Sequence, residues 1–148
     1  MKNNLSSVLP FLLAADLIIP FILAPTYKGY SHLTQVMSVL GNSKAPWHLL
    51  YNIWLVVFGF AILISILQLY PTVAQVSNSI SIMLFSVIVI YALGGCILSG
   101  FFSVGETKSL ETLSAKIHGY GSVIGFLLLK LAPLVVGLYF LKVYNGLL

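Results

Sequence analysis

A chain of 148 residues that is 59% hydrophobic and only 7% charged cannot cover a water-facing surface, because soluble domains carry roughly 25% charged residues. Its net charge of +4 comes from lysines without a single arginine, set against Asp16, Glu106 and Glu111. With no basic stripe interleaved with aromatics, nucleic acid is a poor partner. Cys96 is the lone cysteine, which excludes an internal disulfide and any paired-cysteine zinc or redox motif. The mean hydropathy of +1.06 makes lipid the expected solvent, and the fold class expected is an all-α polytopic membrane protein in one domain.

Four apolar runs follow in chain order, at about 8–25, 46–70, 80–102 and 118–144. Each is long enough to cross ~30 Å of hydrocarbon at ~1.5 Å per residue. The first is interrupted by Pro10, Asp16 and Pro20; an acid in its middle and the lack of a small-x-small site favour a retained span over a secretory signal. Ser43 is an expected cap for the second, with Pro46 in its first turn, Trp47 and Tyr70 at the two interfaces, and Pro71 as its stop. After the third run comes "SVGETKSLETLSAK", the only segment dense in charge and hydroxyls. It is expected to be a solvated loop, with a short helix capped by Ser109, before His118 opens the fourth span.

Between the first two runs lies "YSHLTQVMSVLG". Leu33, Val36, Met37 and Leu40 recur there at helical spacing while Ser31, Gln35 and Ser38 share another face, so an amphipathic interfacial helix is expected over about 31–41, stopped at Gly41. With four spans, the first and third loops share one side of the membrane. His32, His48 and His118 therefore collect on one face together with Glu106 and Glu111. A polar pocket is expected on that face, with Ser31, Gln35, Ser38, His48, Asn52, Glu106 and His118 as ligand-binding candidates. The basic residues divide too evenly between the two faces to orient the chain.

Two charges fall inside spans. Asp16 and Lys130 would each cost about 2.5–3.5 kcal/mol at the bilayer centre, and an ion pair between them is the expected compensation. Gly121 and Gly125 form a G-x-x-x-G and Gly95 with Ser99 a second small-residue pair, which predicts close packing of the third and fourth spans. Pro133 predicts a kink just past Lys130.

The segments "GYSHLTQVMSVLGNSKAPWHLLYN" and "GFFSVGETKSLETLSAKIHGYGSVIGF" resemble a family of small bacterial membrane proteins, domain of unknown function 998. The resemblance covers roughly 29–126. Ser31, Ser38, Gly41, Asn52, Gly100, Phe101 and His118 match its recurring positions, and Glu106 falls where the family tends to have an acid. Relatives commonly have about six spans, which implies a partner for a four-span chain: a homo-oligomer or a larger membrane complex.

Chemically, His32, His48, His118 and Glu106 would make an adequate ligand set for zinc and an activated water. Ser38 or Ser31 with His118 as base and Glu106 as orienter would make a hydrolytic triad. Neither comes with a defining motif, since no HxxxH, HExxH or nucleophile elbow is present. The leading expectation is accordingly a non-enzymatic protein at the cell membrane, binding a lipid headgroup or small amphiphile or serving as an accessory subunit. A metal-assisted intramembrane hydrolase, and an immunity or scaffold protein without a ligand, are the alternatives.

Overall fold

A computed structural model describes residues 7–105 and 110–146. Among them there is no strand, and four helical segments are long and apolar enough to cross a membrane: Leu9–Thr26, His48–Val76, Asn78–Phe101 and Leu113–Gly146. In lipid the backbone must bond within its own helix, and that is why these apolar runs emerge as helices and not as extended chain.

The second and third spans form the centre. Phe58, Ile62, Tyr91, Ala92 and Cys96 make the buried cluster, with Leu9 and Leu12 of the first span and Leu129 of the fourth packed on its edge. Glycines set the distances. A Cβ on Gly59 would strike Cys96 and Ile97, one on Gly100 would strike the Asn52 carbonyl and Val56, and one on Gly94 would strike the Gly121 carbonyl. Gly125 lies equally close to Gly95 and Tyr91. The expected small-residue contact between the third and fourth spans is thus present, and a matching one joins the second and third.

The third span changes pitch where these contacts converge. Ala92–Ile97 is a π-helical turn between Asn78–Tyr91 and Leu98–Phe101. Widening the helix by one residue per turn leaves backbone carbonyls off the ordinary ladder. Ser99 Oγ donates to the Gly94 carbonyl at 2.9 Å, and its oxygen also lies 2.7 Å from Ser122 Oγ on the fourth span.

Several expected boundaries shift, each for a local reason. The second helix starts at His48 with no side-chain cap, so Ser43 does not cap it. His48 instead turns its own ring back, Nδ1 donating to the Ala45 carbonyl at 2.7 Å. Pro71 does not stop this helix, which continues to Val76; Ser81 Oγ donates to the Tyr70 carbonyl at 3.0 Å, tying the backbone beside the proline to the third span. The fourth span opens at Leu113, not His118, because the Thr112 hydroxyl accepts from the Ala115 amide and caps it. Ser109 lies outside the described residues. The span breaks at Lys130–Leu131 and resumes at Ala132, so Pro133 falls in the first turn of the new helix, where its missing N–H costs least.

No continuous helix covers 31–41. A single turn closes on the Ser31 carbonyl, which accepts from the Thr34 and Gln35 amides. Val36 is extended, and a five-residue 3-10 helix, Met37–Gly41, follows. The reason is tertiary: Val39, Leu40 and Gly41 are buried, with Leu40 packed beside Leu23, Tyr51 and Leu55. A straight helix would have left these residues on the surface.

Replacing Gly94 by valine is expected to lower unfolding stability in detergent by ~1–3 kcal/mol through overpacking against Gly121. Gly137→Ala, at a position with open space around it, should stay within about 0.5 kcal/mol of the parent in the same denaturation series.

Candidate functional site

The first and third loops are tied together by one side chain. Asn42, buried between them, donates from Nδ2 to the Val104 carbonyl at 2.7 Å while its Oδ1 accepts from the Lys44 amide at 2.9 Å. Ten residues on, Asn52 Nδ2 donates to the Gly41 carbonyl at 3.0 Å. These two amides fold the loop over the ends of the second and third spans. Asn42 drew no attention in the sequence, where an Asn before Ser-Lys reads as an ordinary turn residue. Only its partner 62 positions away gives it a role.

His118 is buried at 4% exposure. Its Nδ1 faces two carbonyls, Phe102 at 2.7 Å and Ser99 at 3.2 Å, and carbonyls only accept, so Nδ1 carries a proton and donates. The ring therefore caps the last turn of the third span from the fourth, alongside the Ser99–Ser122 contact. Ser114 Oγ adds a bond to the Ser103 carbonyl at 3.0 Å.

His32 is placed differently. Its ring packs at a tilt of 36° against Phe21 with centroids 4.5 Å apart and meets Tyr30 edge-on at 5.0 Å. The Tyr30 hydroxyl lies 3.0 Å from His32 Nδ1, and burial raises the Tyr30 pKa above its ordinary value, so the hydroxyl keeps its proton and can donate. His32 Nε2 is buried and has no hydrogen-bond partner among the described residues.

The polar pocket is only partly assembled. Ser31 and Gln35 close on each other, Ser31 N donating to Gln35 Oε1 at 3.0 Å, and the Ser31 hydroxyl accepts from the Leu33 amide. Ser38 is half-buried in the 3-10 helix. Among the described residues neither serine is bonded to His118, and no three His, Cys, Asp or Glu side chains come together as a metal-holding group. Each imidazole is engaged locally through Nδ1: His48 with its own helix start, His118 with the third span, His32 with Tyr30. Glu106 lies outside the described residues.

The expected Asp16–Lys130 ion pair gives way to another arrangement. Asp16 Oδ1 accepts from Trp54 Nε1 at 2.9 Å, which places it beside the loop-side part of the second span. Lys130 is exposed at the break of the fourth span, next to Leu129 on the central cluster. Among the described residues the two charges are not paired with each other. Trp54 is itself stacked on Phe58 at 5.8 Å.

Two grooves open toward lipid on the loop-side half. One, of about 260 Å³, lies between the first and second spans and is lined by Ile19, Ile22, Leu23, Leu50 and Trp54. The other, of about 380 Å³, lies between the second and third and includes Leu49, Asn52, Ile53, Val56 and Phe101. Asn52 is the polar residue in an otherwise aliphatic and aromatic lining.

An apolar four-span bundle clasped by loop asparagines and a carbonyl-capping histidine defines a class, small polytopic helical membrane proteins, without defining a reaction. Within that class the chain belongs to the family described as "Protein of unknown function (DUF998)", whose model matches residues 12–147. No curated protein and no solved structure matches it.

Replacing His118 by alanine leaves the Phe102 carbonyl without its donor, with an expected loss of ~1–3 kcal/mol in denaturation in micelles. A zinc-ligand role would show in addition as stoichiometric metal, by elemental analysis, that the variant lacks. In a Cys96→Ser background, cysteines placed at Leu33 and Leu113, 96% and 74% exposed, should both react with an impermeant maleimide from one side of sealed vesicles; reaction from opposite sides would overturn the shared face.

Proposed function

We propose that this protein is a membrane-embedded binding protein that holds an anionic amphiphile on its loop face. The observation that carries the reading is the groove between the second and third spans. It is long in aliphatic side chains, opens to lipid, and has its one amide, Asn52, at the end nearest the loops. A site for an acyl chain needs such a mostly apolar lining with few fixed polar groups. Charge supports the sign of the headgroup: Lys28, Lys44 and Lys116 are exposed on the loop face, and each lysine near an anionic surface contributes about 1 kcal/mol of attraction. Apolar side chains standing out of the same face, Leu33, Met37 and Trp47, would seat that face in the headgroup layer.

A second reading, an accessory subunit or a homo-oligomer, is favoured by the first and fourth spans. Only 11% of the most apolar window of each is buried, which leaves long apolar faces for lipid or for another helix.

Native mass spectrometry of protein from mixed phosphatidylglycerol and phosphatidylcholine nanodiscs tests the first reading. Retained lipid should be enriched in phosphatidylglycerol, with Val56→Trp filling the groove and lowering retention, and Lys44→Ala with Lys116→Ala lowering the headgroup preference. Equal retention of both lipids by the parent and by the filled variant would rule the reading out.

A further inference from the structure

The groove between the first and second spans has a feature its neighbour lacks. Ile19 lines it, and Asp16 lies one helical turn away on the same span. The Asp16 carboxylate is bonded to Trp54 Nε1, and Trp54 is itself part of the groove wall. Asp16 is only half-buried. Among the described residues its one hydrogen bond comes from a neutral indole, which satisfies a lone pair and brings no opposite charge.

Among the described residues the carboxylate is bonded to the Trp54 indole and paired with no cation. The cation expected to pair with it, Lys130, stands elsewhere. A carboxylate inside a span without a paired cation marks a binding or transfer position by default. Here it stands beside an open apolar slot of about 260 Å³ with an aromatic wall.

From this geometry we infer a second binding site, for a small lipophilic monovalent cation such as a quaternary ammonium or alkylamine. Its charged head lies against Asp16 and the Trp54 ring, and its tail lies along Ile19, Ile22 and Leu50. The carboxylate supplies the attraction, strengthened by the low dielectric. The indole contributes a cation–π contact, and the aliphatic wall takes the chain. This site is separate from the amphiphile groove and has the opposite charge preference, so either can fail without the other.

Trp54 is a built-in reporter. In a Trp47→Phe background it is the sole tryptophan, and its emission in micelles can be titrated with hexyltrimethylammonium and with the uncharged isostere 2,2-dimethyloctane. A saturable change is expected for the cation alone. Asp16→Asn, which keeps an oxygen for the indole N–H, should weaken it roughly tenfold or more. Ile22→Trp or Leu50→Phe, read by calorimetry, should block the slot with Asp16 intact and the helical circular dichroism unchanged. Equal responses to cation and isostere, or undiminished cation binding in a folded Asp16→Asn protein, would overturn the inference.

Discussion

Helices in lipid gain nothing hydrophobic from touching one another, so a bundle needs backbones that approach closely and polar groups that find each other across the gap. Both needs are met along the third span of this protein. Gly94 and Gly95 receive Gly121 and Gly125 on one side, and Cys96 and Ile97 receive Gly59 on the other. The π-helical turn at Ala92–Ile97 lies where both sets of contacts converge. The backbone disturbance it creates is then used, since Ser99 bonds the Gly94 carbonyl and meets Ser122.

From that junction the polar groups ascend toward the loop face in a chain of cause. His118 follows Ser122 by one turn toward the start of the fourth span and caps the third span's last carbonyls. The third span's exit then sets where Val104 lies, and Val104 accepts from Asn42. Asn42 and Asn52 in turn hold the 3-10 helix at Met37–Gly41 against the second span. The histidines and asparagines of this face are thus spent largely on backbone groups. His48, His118, Asn42 and Asn52 in this way clasp the loops and helix ends of the face.

The two lipid-facing grooves are apolar, and each borders one unusual polar group: Asn52 in one, the Asp16–Trp54 pair beside the other. The membership of the chain in a family of unknown function adds no chemistry to either. The central spans are more covered by their neighbours than the outer two, which are largely uncovered.

The sequence by itself determined the solvent, the helical class, the number of spans and the packing of the third span on the fourth. These depend on composition, run length and small-residue spacing, which are local quantities. Helix ends were less legible. Pro71 carries a stop signal although the helix runs on to Val76, Ser43 carries a cap signal although the helix starts uncapped at His48, and the 31–41 pattern has helical period but is bent so that Val39 and Leu40 reach the core. The site was the least legible part. That His118 faces the Phe102 carbonyl, that Asp16 meets Trp54, and that Asn42 reaches Val104 all depend on the relative depth and rotation of spans. Tertiary packing alone decided these, because depth and rotation are set by where glycine backbones interlock, and a linear pattern holds no record of which glycine meets which.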